Sequence, residues 1–140
     1  MISIFIDEND EITIDFFIGK DKDGKIYVGD IEEDVKLNVN GNLKIGDNEI
    51  EKHFAVFKRP SFGDVVDITN KIFGTEDGQF AFNAMSDKLN KVSKLIKRWS
   101  FKDKDGNDIK PDEKQIRALS PKIADYISEK LSQEVGSILG

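Results

Sequence analysis

The chain has 140 residues, of which 38% are hydrophobic and 34% charged, a composition typical of one globular domain rather than of a disordered segment. It contains no cysteine, which excludes disulfides, a thiolate nucleophile and a thiolate metal site. Residues 1–59 carry 8 Lys/Arg against 14 Asp/Glu, a net charge of −6, whereas residues 60–140 carry 13 of each. Because nucleic-acid binding depends on basic surface, nucleic acid is not an expected partner of this acidic chain.

The sequence also argues against a membrane protein. No apolar run approaches the roughly 18 residues that a membrane span requires. The N-terminus becomes acidic at Asp7 and has no basic region before it, so we do not expect a signal peptide. These features favour an intracellular protein.

The first half of the chain alternates between short segments rich in Ile, Val and Phe and short polar breaks that contain Asp, Asn and Gly. From Ile12 to Ile18 every second residue is apolar, which is the period of a half-buried β-strand. Asn40-Gly41 suits the type I′ turn of a β-hairpin, because both residues tolerate positive φ. We therefore predict five or six short antiparallel strands. They are expected at residues 2–6, 11–18, 25–29, 35–39, 42–46 and 50–57.

After Pro60 the apolar residues recur every 3 or 4 positions, which is the period of α-helices. A first helix is predicted to begin after Ser61, its N-cap, and to end at Gly74. A longer helix is predicted from Phe82 to Trp99. The predicted apolar faces are Phe62, Val65, Val66, Thr69, Ile72 and Phe73 in the first helix, and Phe82, Met85, Leu89, Val92, Ile96 and Trp99 in the second.

Two further helix starts follow the long helix. Asp112 and Gln115 have the spacing of a capping box. Ser120 precedes Pro121, and proline is favoured at the first position of a helix. The last helix is predicted to carry one apolar stripe. Its residues are Ile123, Ile127, Leu131, Val135 and Ile138.

Strands in the first half and helices in the second half indicate an α+β fold. We predict an N-terminal antiparallel sheet followed by three or four helices. The β-rich part covers residues 1–59 and the helical part residues 60–140. No Gly-, Ser- or Pro-rich linker separates the two parts, so we expect one continuous unit.

The segment KDKDG occurs twice, at residues 20–24 and at residues 102–106. Paired Asp residues beside a Gly resemble a calcium loop, but an EF-hand needs an oxygen ligand from its first residue. With the glycine at the sixth position, that first residue is Gly19 in one copy and Phe101 in the other. We therefore interpret both copies as tight Asp-Gly turns, and weak cation binding is the alternative.

The sequence contains no recognisable catalytic motif. His53 is the only histidine, so a two-histidine metal site is excluded and a Ser-His-Asp arrangement has no identifiable partner. We interpret His53 as a residue of the sheet surface. The phosphate-binding, dinucleotide-binding, metalloprotease and nucleophile-elbow motifs are missing from the chain. We therefore expect a protein that is not an enzyme and has no cofactor or metal.

The predicted long helix carries five cations, and most of them share one polar face. They are Lys88, Lys91, Lys94, Lys97 and Arg98. One interpretation is a solvated face, and the other is a strip that binds an acidic segment, such as the N-terminal half of a second copy. Trp99 is interpreted as a core residue, with an interface hot spot as the alternative. On the binding interpretation, the partner-binding residues are Lys88, Lys91, Lys94, Arg98 and Trp99.

Two segments, FKRPSFGDVVDI at 57–68 and LIKRWSFKDKDGNDIKPDEKQIRALSPKIADYISEKL at 95–131, carry a distinctive order of features. A Trp closes a helix, an Asp-rich turn and a short helix ending in Leu follow, and a Ser-Pro pair starts an Ile- and Ala-rich helix. In this order the chain resembles small tail proteins of tailed bacteriophages, in particular tail assembly chaperones. The resemblance covers about half of the chain. Its patterned positions are Trp99, Asp105, Gly106, Leu119, Pro121 and Ile123.

The resemblance implies a non-enzymatic function. Many copies of a tail assembly chaperone coat the long helical tape-measure protein and recruit tail-tube subunits, and a basic helix face with an apolar stripe suits such a client. The chain would then form an oligomer or a larger assembly with other tail proteins or with copies of itself, in the host cytoplasm during assembly. The alternative is a structural component of the tail, baseplate or head–tail connector, which would remain in the virion.

Overall fold

The computed structural model describes residues 3–21, 23–39, 49–72 and 84–136. Within these ranges the chain has an α+β fold, as predicted, with one antiparallel sheet and five helices. The strands are β1 (Glu11–Lys20), β2 (Ile26–Gly29), β3 (Glu49–Lys58) and β4 (Ile96–Trp99), in the sheet order β2-β1-β3-β4. The helices are α1 (Glu32–Val39), α2 (Phe62–Ile72), α3 (Ala84–Leu95), α4 (Glu113–Arg117) and α5 (Pro121–Val135).

The two long strands, β1 and β3, form the centre of the sheet. They pair over ten residues, from Glu11 opposite Lys58 to Lys20 opposite Glu49. The alternation predicted for β1 is confirmed from Ile12 to Phe16, because Ile12, Ile14 and Phe16 are buried and the intervening Thr13 and Asp15 are exposed. The part of this face that carries Ile12, Ile14 and Phe16 is therefore apolar and must be covered.

Helices cover this apolar face and complete a single hydrophobic core. Helix α3 contributes Val92 and Leu95, and α5 contributes the predicted stripe. Within that stripe Leu131 is fully buried. Ile138 lies outside the described residues. The main cluster joins residues from β1, β3, β4, α2, α3, α4 and α5, so the β-rich and helical parts share one core.

Three of the predicted strands are not found as strands in the described residues. Residues 3–6 form no strand, and residues 35–39 belong to α1 instead. Residues 42–46 and the Asn40-Gly41 turn lie outside the described residues. The described part of the chain therefore has four strands rather than five or six, and α1 raises the helix count to five.

Helix α1 forms because its sequence satisfies helical as well as strand spacing. Val35 and Val39 are four residues apart in the sequence, a spacing that is typical of helices as well as strands. Acidic residues occupy the first turn, from Glu32 to Asp34, and they interact favourably with the positive end of the helix dipole. Val35 is buried against the sheet, and a Cβ at Gly29 would lie only 3.1 Å from its Cγ2, so this close approach favours glycine.

The predicted helix from Phe82 to Trp99 is wrong at its C-terminal end. Helix α3 ends at Leu95, and the next residue begins β4. Apolar residues at Ile96 and Trp99 fit a helical period, but here they pair with Phe57 and Ala55 at the edge of β3. Edge pairing thus overrides a helical pattern that the local sequence allows. Phe82 lies outside the described residues.

Helix α2 begins where it was predicted, but its most buried residue lies outside the predicted apolar face. Ser61 Oγ accepts a hydrogen bond from the Asp64 amide at 3.2 Å, and Asp64 Oδ2 accepts one from the Ser61 amide at 3.0 Å, which is a reciprocal cap. The buried residue is Ile68, whereas Phe62 and Val66 of the predicted apolar face are exposed. Ile68 is roughly 240° around the helix from Phe62. Phe73 and Gly74 lie outside the described residues.

The two later helix starts agree with the predictions. Asp112 Oδ1 accepts a hydrogen bond from the Gln115 amide at 2.9 Å and caps α4. Pro121 is the first residue of α5. None of the helices in the described ranges is long and apolar enough to cross a membrane.

Both KDKDG segments form the same turn, as predicted. Asp21 Oδ1 accepts hydrogen bonds from the amides of Asp23 and Lys25, each at 2.9 Å. In the second copy Asp103 Oδ1 accepts them from Asp105 and Asn107, at 2.9 and 3.0 Å. In the described ranges, no group of three or more acidic or histidine residues is placed to hold a metal ion.

The glycine of each turn adopts a left-handed backbone conformation. Gly24 has φ of 82° and Gly106 has φ of 81°. A Cβ at Gly106 would meet no atom within 4 Å, so a side chain there is disfavoured by backbone strain alone.

We expect Gly106→Ala to lower the free energy of unfolding by about 1–2 kcal/mol, because alanine strains a left-handed backbone. Urea denaturation monitored by Trp99 fluorescence measures the change. Gly106→Asn is the control and should lose less, because asparagine tolerates this conformation. An alanine variant as stable as the wild type would contradict the turn geometry.

Candidate functional site

The five residues predicted to bind a partner do not lie on one helix. Lys88, Lys91 and Lys94 belong to α3, whereas Arg98 and Trp99 belong to β4. The prediction that the cations share one polar helix face is therefore wrong, because α3 ends at Leu95, before Arg98. Partner binding by these residues stays a prediction.

The cations of α3 all have partners within the chain. Lys88 forms an ion pair with Asp125 of α5 at 3.0 Å, and Lys94 forms one with Asp67 of α2 at 3.2 Å. Lys91 is only 4% exposed and donates a hydrogen bond to Ser132 Oγ. These contacts join α3 to its two neighbouring helices, so the helix does not present a continuous row of open cations.

The cations of β4 bind the start of β1. Arg98 donates to Glu11 at 2.8 Å, and Lys97 lies 3.3 Å from the same carboxylate. Lys97 also donates to the backbone oxygen of Glu8 at 2.7 Å. The hydrogen bond from Arg98, followed by that from Lys97, lowers the pKa of Glu11 below its ordinary value. Part of the acidic first half thus meets basic residues of the same chain.

Trp99 is a core residue, in agreement with the first of its two interpretations. Its side chain is 8% exposed, and its ring lies 5.1 Å from that of Phe101 in an edge-on arrangement. The indole N–H donates to the backbone oxygen of Ile109. Trp99 therefore fixes the segment after β4 against the core.

An apolar groove of about 330 Å³ opens between α3, α4 and α5. Lys88, Arg117 and Asp125 supply its charged side chains, and the remaining side chains are apolar. Lys88 is the residue of the predicted partner-binding set that lines this groove. The apolar lining consists of Leu89, Val92, Ile116, Leu119, Pro121, Ala124 and Ile127. In the sequence these positions appear as core residues of separate helices, so only the packing of the three helices reveals a groove.

A second arrangement that the sequence did not reveal surrounds His53. Its Nδ1 lies 2.8 Å from Ser100 Oγ, and its Nε2 lies 3.1 Å from Glu51 Oε2. Because a carboxylate only accepts hydrogen bonds, Nε2 carries the proton in the neutral ring and Nδ1 is an acceptor. The Ser100 hydroxyl has one proton and two acceptors within reach, His53 Nδ1 and the Phe54 backbone oxygen at 3.2 Å. The order of contacts Glu-His-Ser is that of a catalytic triad.

The surroundings of Ser100 favour a structural role over catalysis. An acyl-transfer site needs free N–H groups near the nucleophile to stabilise the oxyanion. The Ser100 amide instead donates to the Phe54 oxygen at 3.0 Å, and the Phe54 amide donates to Ser100 Oγ at 2.8 Å. We interpret these bonds as a continuation of the β3–β4 pairing beyond Trp99, with His53 holding the hydroxyl in place.

Comparison with known proteins gave no relatives. The chain matches no protein family, no curated protein and no solved structure.

We expect Glu11→Gln to reduce the loss of stability on acidification. The pKa of Glu11 is lowered in the folded chain, so its contribution is present above its ordinary pKa and disappears as the pH falls through the lowered value. Urea midpoints at pH 7 and near pH 3 should therefore differ less in the variant than in the wild type. Glu129→Gln, at an exposed position of α5, is the matched control. Equal acid sensitivity in the wild type and Glu11→Gln would contradict the role of this ion pair.

Proposed function

We propose that this protein is a non-enzymatic assembly protein of a tailed bacteriophage that binds an apolar helix of a client in its groove. The observation that carries the proposal is the apolar groove between α3, α4 and α5. The resemblance to tail assembly chaperones supplies the candidate clients, which are the tape-measure protein and tail subunits. Binding would take place in the host cytoplasm during tail assembly.

The chemistry of the groove suits an amphipathic helix. Its volume of about 330 Å³ lies in the range of protein binding pockets. The apolar lining would bury the apolar face of the client, in the manner of other helix-in-groove complexes. Lys88 and Arg117 are 42% and 62% exposed at their side chains, and they form ion pairs within the chain with Asp125 and Glu113. A charged residue of the client would have to compete with these pairs, so the apolar lining carries the proposal.

A binding protein also fits the geometry around His53 better than an enzyme does. The amides closest to the Ser100 hydroxyl are engaged in strand pairing, so they do not serve a developing negative charge. The Ser100 hydroxyl itself accepts a hydrogen bond from the Phe54 amide, which reduces its availability as a nucleophile.

The alternative function, a structural component of the virion, is favoured by a different observation. Ile4, Phe5 and Phe62 are 81%, 82% and 85% exposed. Large exposed apolar side chains are typical of surfaces that become covered by other subunits. A permanent place in the tail, baseplate or connector would cover them.

The two functions differ in whether the chain stays in the mature particle. For an assembly factor, we expect the chain to be abundant in infected cells and missing from purified virions. Quantitative mass spectrometry of both samples, from the phage that encodes the chain, measures this. Stoichiometric amounts in virions would contradict the assembly factor and support the structural component.

We expect Ala124→Arg to weaken client binding at least about tenfold, because a buried charge and a long side chain would fill the groove. Fluorescence anisotropy with labelled helical peptides from the tape-measure protein measures the affinity. Val66→Arg is the control, because it adds the same charge at an exposed position of α2 outside the groove. Unchanged affinity in a folded Ala124→Arg variant would exclude the groove as the binding site.

A further inference from the structure

The N-terminal arm, defined as residues 3–6, exposes large apolar side chains. Ile4 is 81% exposed, Phe5 82% and Ile6 37%. The arm belongs to no strand or helix. Because Ile4 and Phe5 stand in solvent, the arm does not fill the groove of its own chain. Exposing two adjacent apolar side chains of this size to water is unfavourable in free energy unless another molecule covers them.

The base of the arm is held firmly to the sheet. Asp7 Oδ1 accepts a hydrogen bond from the Asn9 amide at 2.7 Å, and Asp10 Oδ2 accepts one from the Asp7 amide at 3.1 Å. The Arg59 amide donates to the Asp10 oxygen at 2.8 Å, next to the paired ends of β1 and β3. The contact between Lys97 and the backbone of Glu8 adds a tie to β4. The arm therefore projects from a fixed point, which lowers the entropy lost on docking.

The arm and the groove are complementary in polarity. The arm supplies two adjacent apolar side chains, Ile4 and Phe5, that stand in solvent. The groove supplies an apolar lining, and its two cations already form ion pairs within the chain, Lys88 with Asp125 and Arg117 with Glu113. The match between arm and groove is therefore one of apolar surfaces.

We propose that the N-terminal arm of one copy inserts Ile4 and Phe5 into the groove of a second copy. The donor and acceptor surfaces differ, so the contact is heterologous and each copy can both give and receive an arm. The inference rests on the groove being the protein-binding site of the proposed function. A second copy would then occupy the groove when the client is not bound.

Sedimentation velocity over a wide concentration range tests the inference. We expect the wild type to self-associate, and Phe5→Ser to weaken the association at least about tenfold, because the serine loses most of the apolar area. Phe62→Ser is the matched control, since Phe62 is equally exposed but belongs to α2, outside the arm and the groove. A wild type that stays monomeric, or equal weakening by both variants, would overturn the inference.

A mixing experiment tests the direction of the contact. Phe5→Ser has a damaged arm and an intact groove, whereas Ala124→Arg has an intact arm and a blocked groove. Each variant alone should be monomeric, and their mixture should give a one-to-one complex that grows no further. Absence of that complex, with both variants folded by circular dichroism, would overturn the inference.

The same variants separate this inference from the proposed function. The Phe5→Ser groove is intact, so its affinity for the tape-measure peptides reports on client binding alone. Peptide binding by Phe5→Ser without self-association of the wild type contradicts only the arm–groove contact. If the wild type self-associates, Phe5→Ser abolishes that association, and no peptide binds, the arm–groove contact is supported and the proposed binding of the client is contradicted.

Discussion

The rest of the structure depends on the register between β1 and β3. Ten consecutive pairs place Ile12, Ile14 and Phe16 on one face of the sheet, together with Ala55 and Phe57 of the partner strand. A shift by one residue would turn Thr13 and Asp15 into the core instead, so the pairing admits one register. Helices α3 and α5 then pack against the surface that this pairing defines, and α2 and α4 pack against α3. The same packing brings α3, α4 and α5 together as the walls of the groove.

Local pattern predicted the elements whose pattern is unambiguous. The alternation in β1, the cap at Ser61 and the two Asp-Gly turns depend on residues close in sequence, and they appear in the structure. Segment 35–39 satisfies both periods, whereas Ile96 and Trp99 have a helical spacing and pair with β3 through a shift in register. The state of both segments is decided by contacts with the sheet that no local pattern contains. The candidate site is even harder to predict from the sequence. His53 and Ser100 are 47 positions apart, and the groove needs three helices in place.

The cations that the sequence placed on one helix face, either solvated or binding an acidic segment, mostly form ion pairs within the chain. Most cations of α3 and β4 hold neighbouring elements together rather than forming an open strip. The groove and the N-terminal arm are both mainly apolar, and they are the surfaces that we propose bind partners. Surface ion pairs contribute little stability individually, so the apolar core carries most of the contact between α2, α3 and α5.

The direct passage from α3 into β4 has an evolutionary consequence. Leu95 ends the helix and Ile96 begins the strand, with no connecting residue between them. One inserted residue would rotate α3 by roughly 100° relative to the strand, or move the side chains of β4 to the opposite face of the sheet. Related chains should therefore conserve the length of this junction even where its sequence diverges. The turns around Gly24 and Gly106 carry no such restriction, and changes of length during divergence should accumulate there.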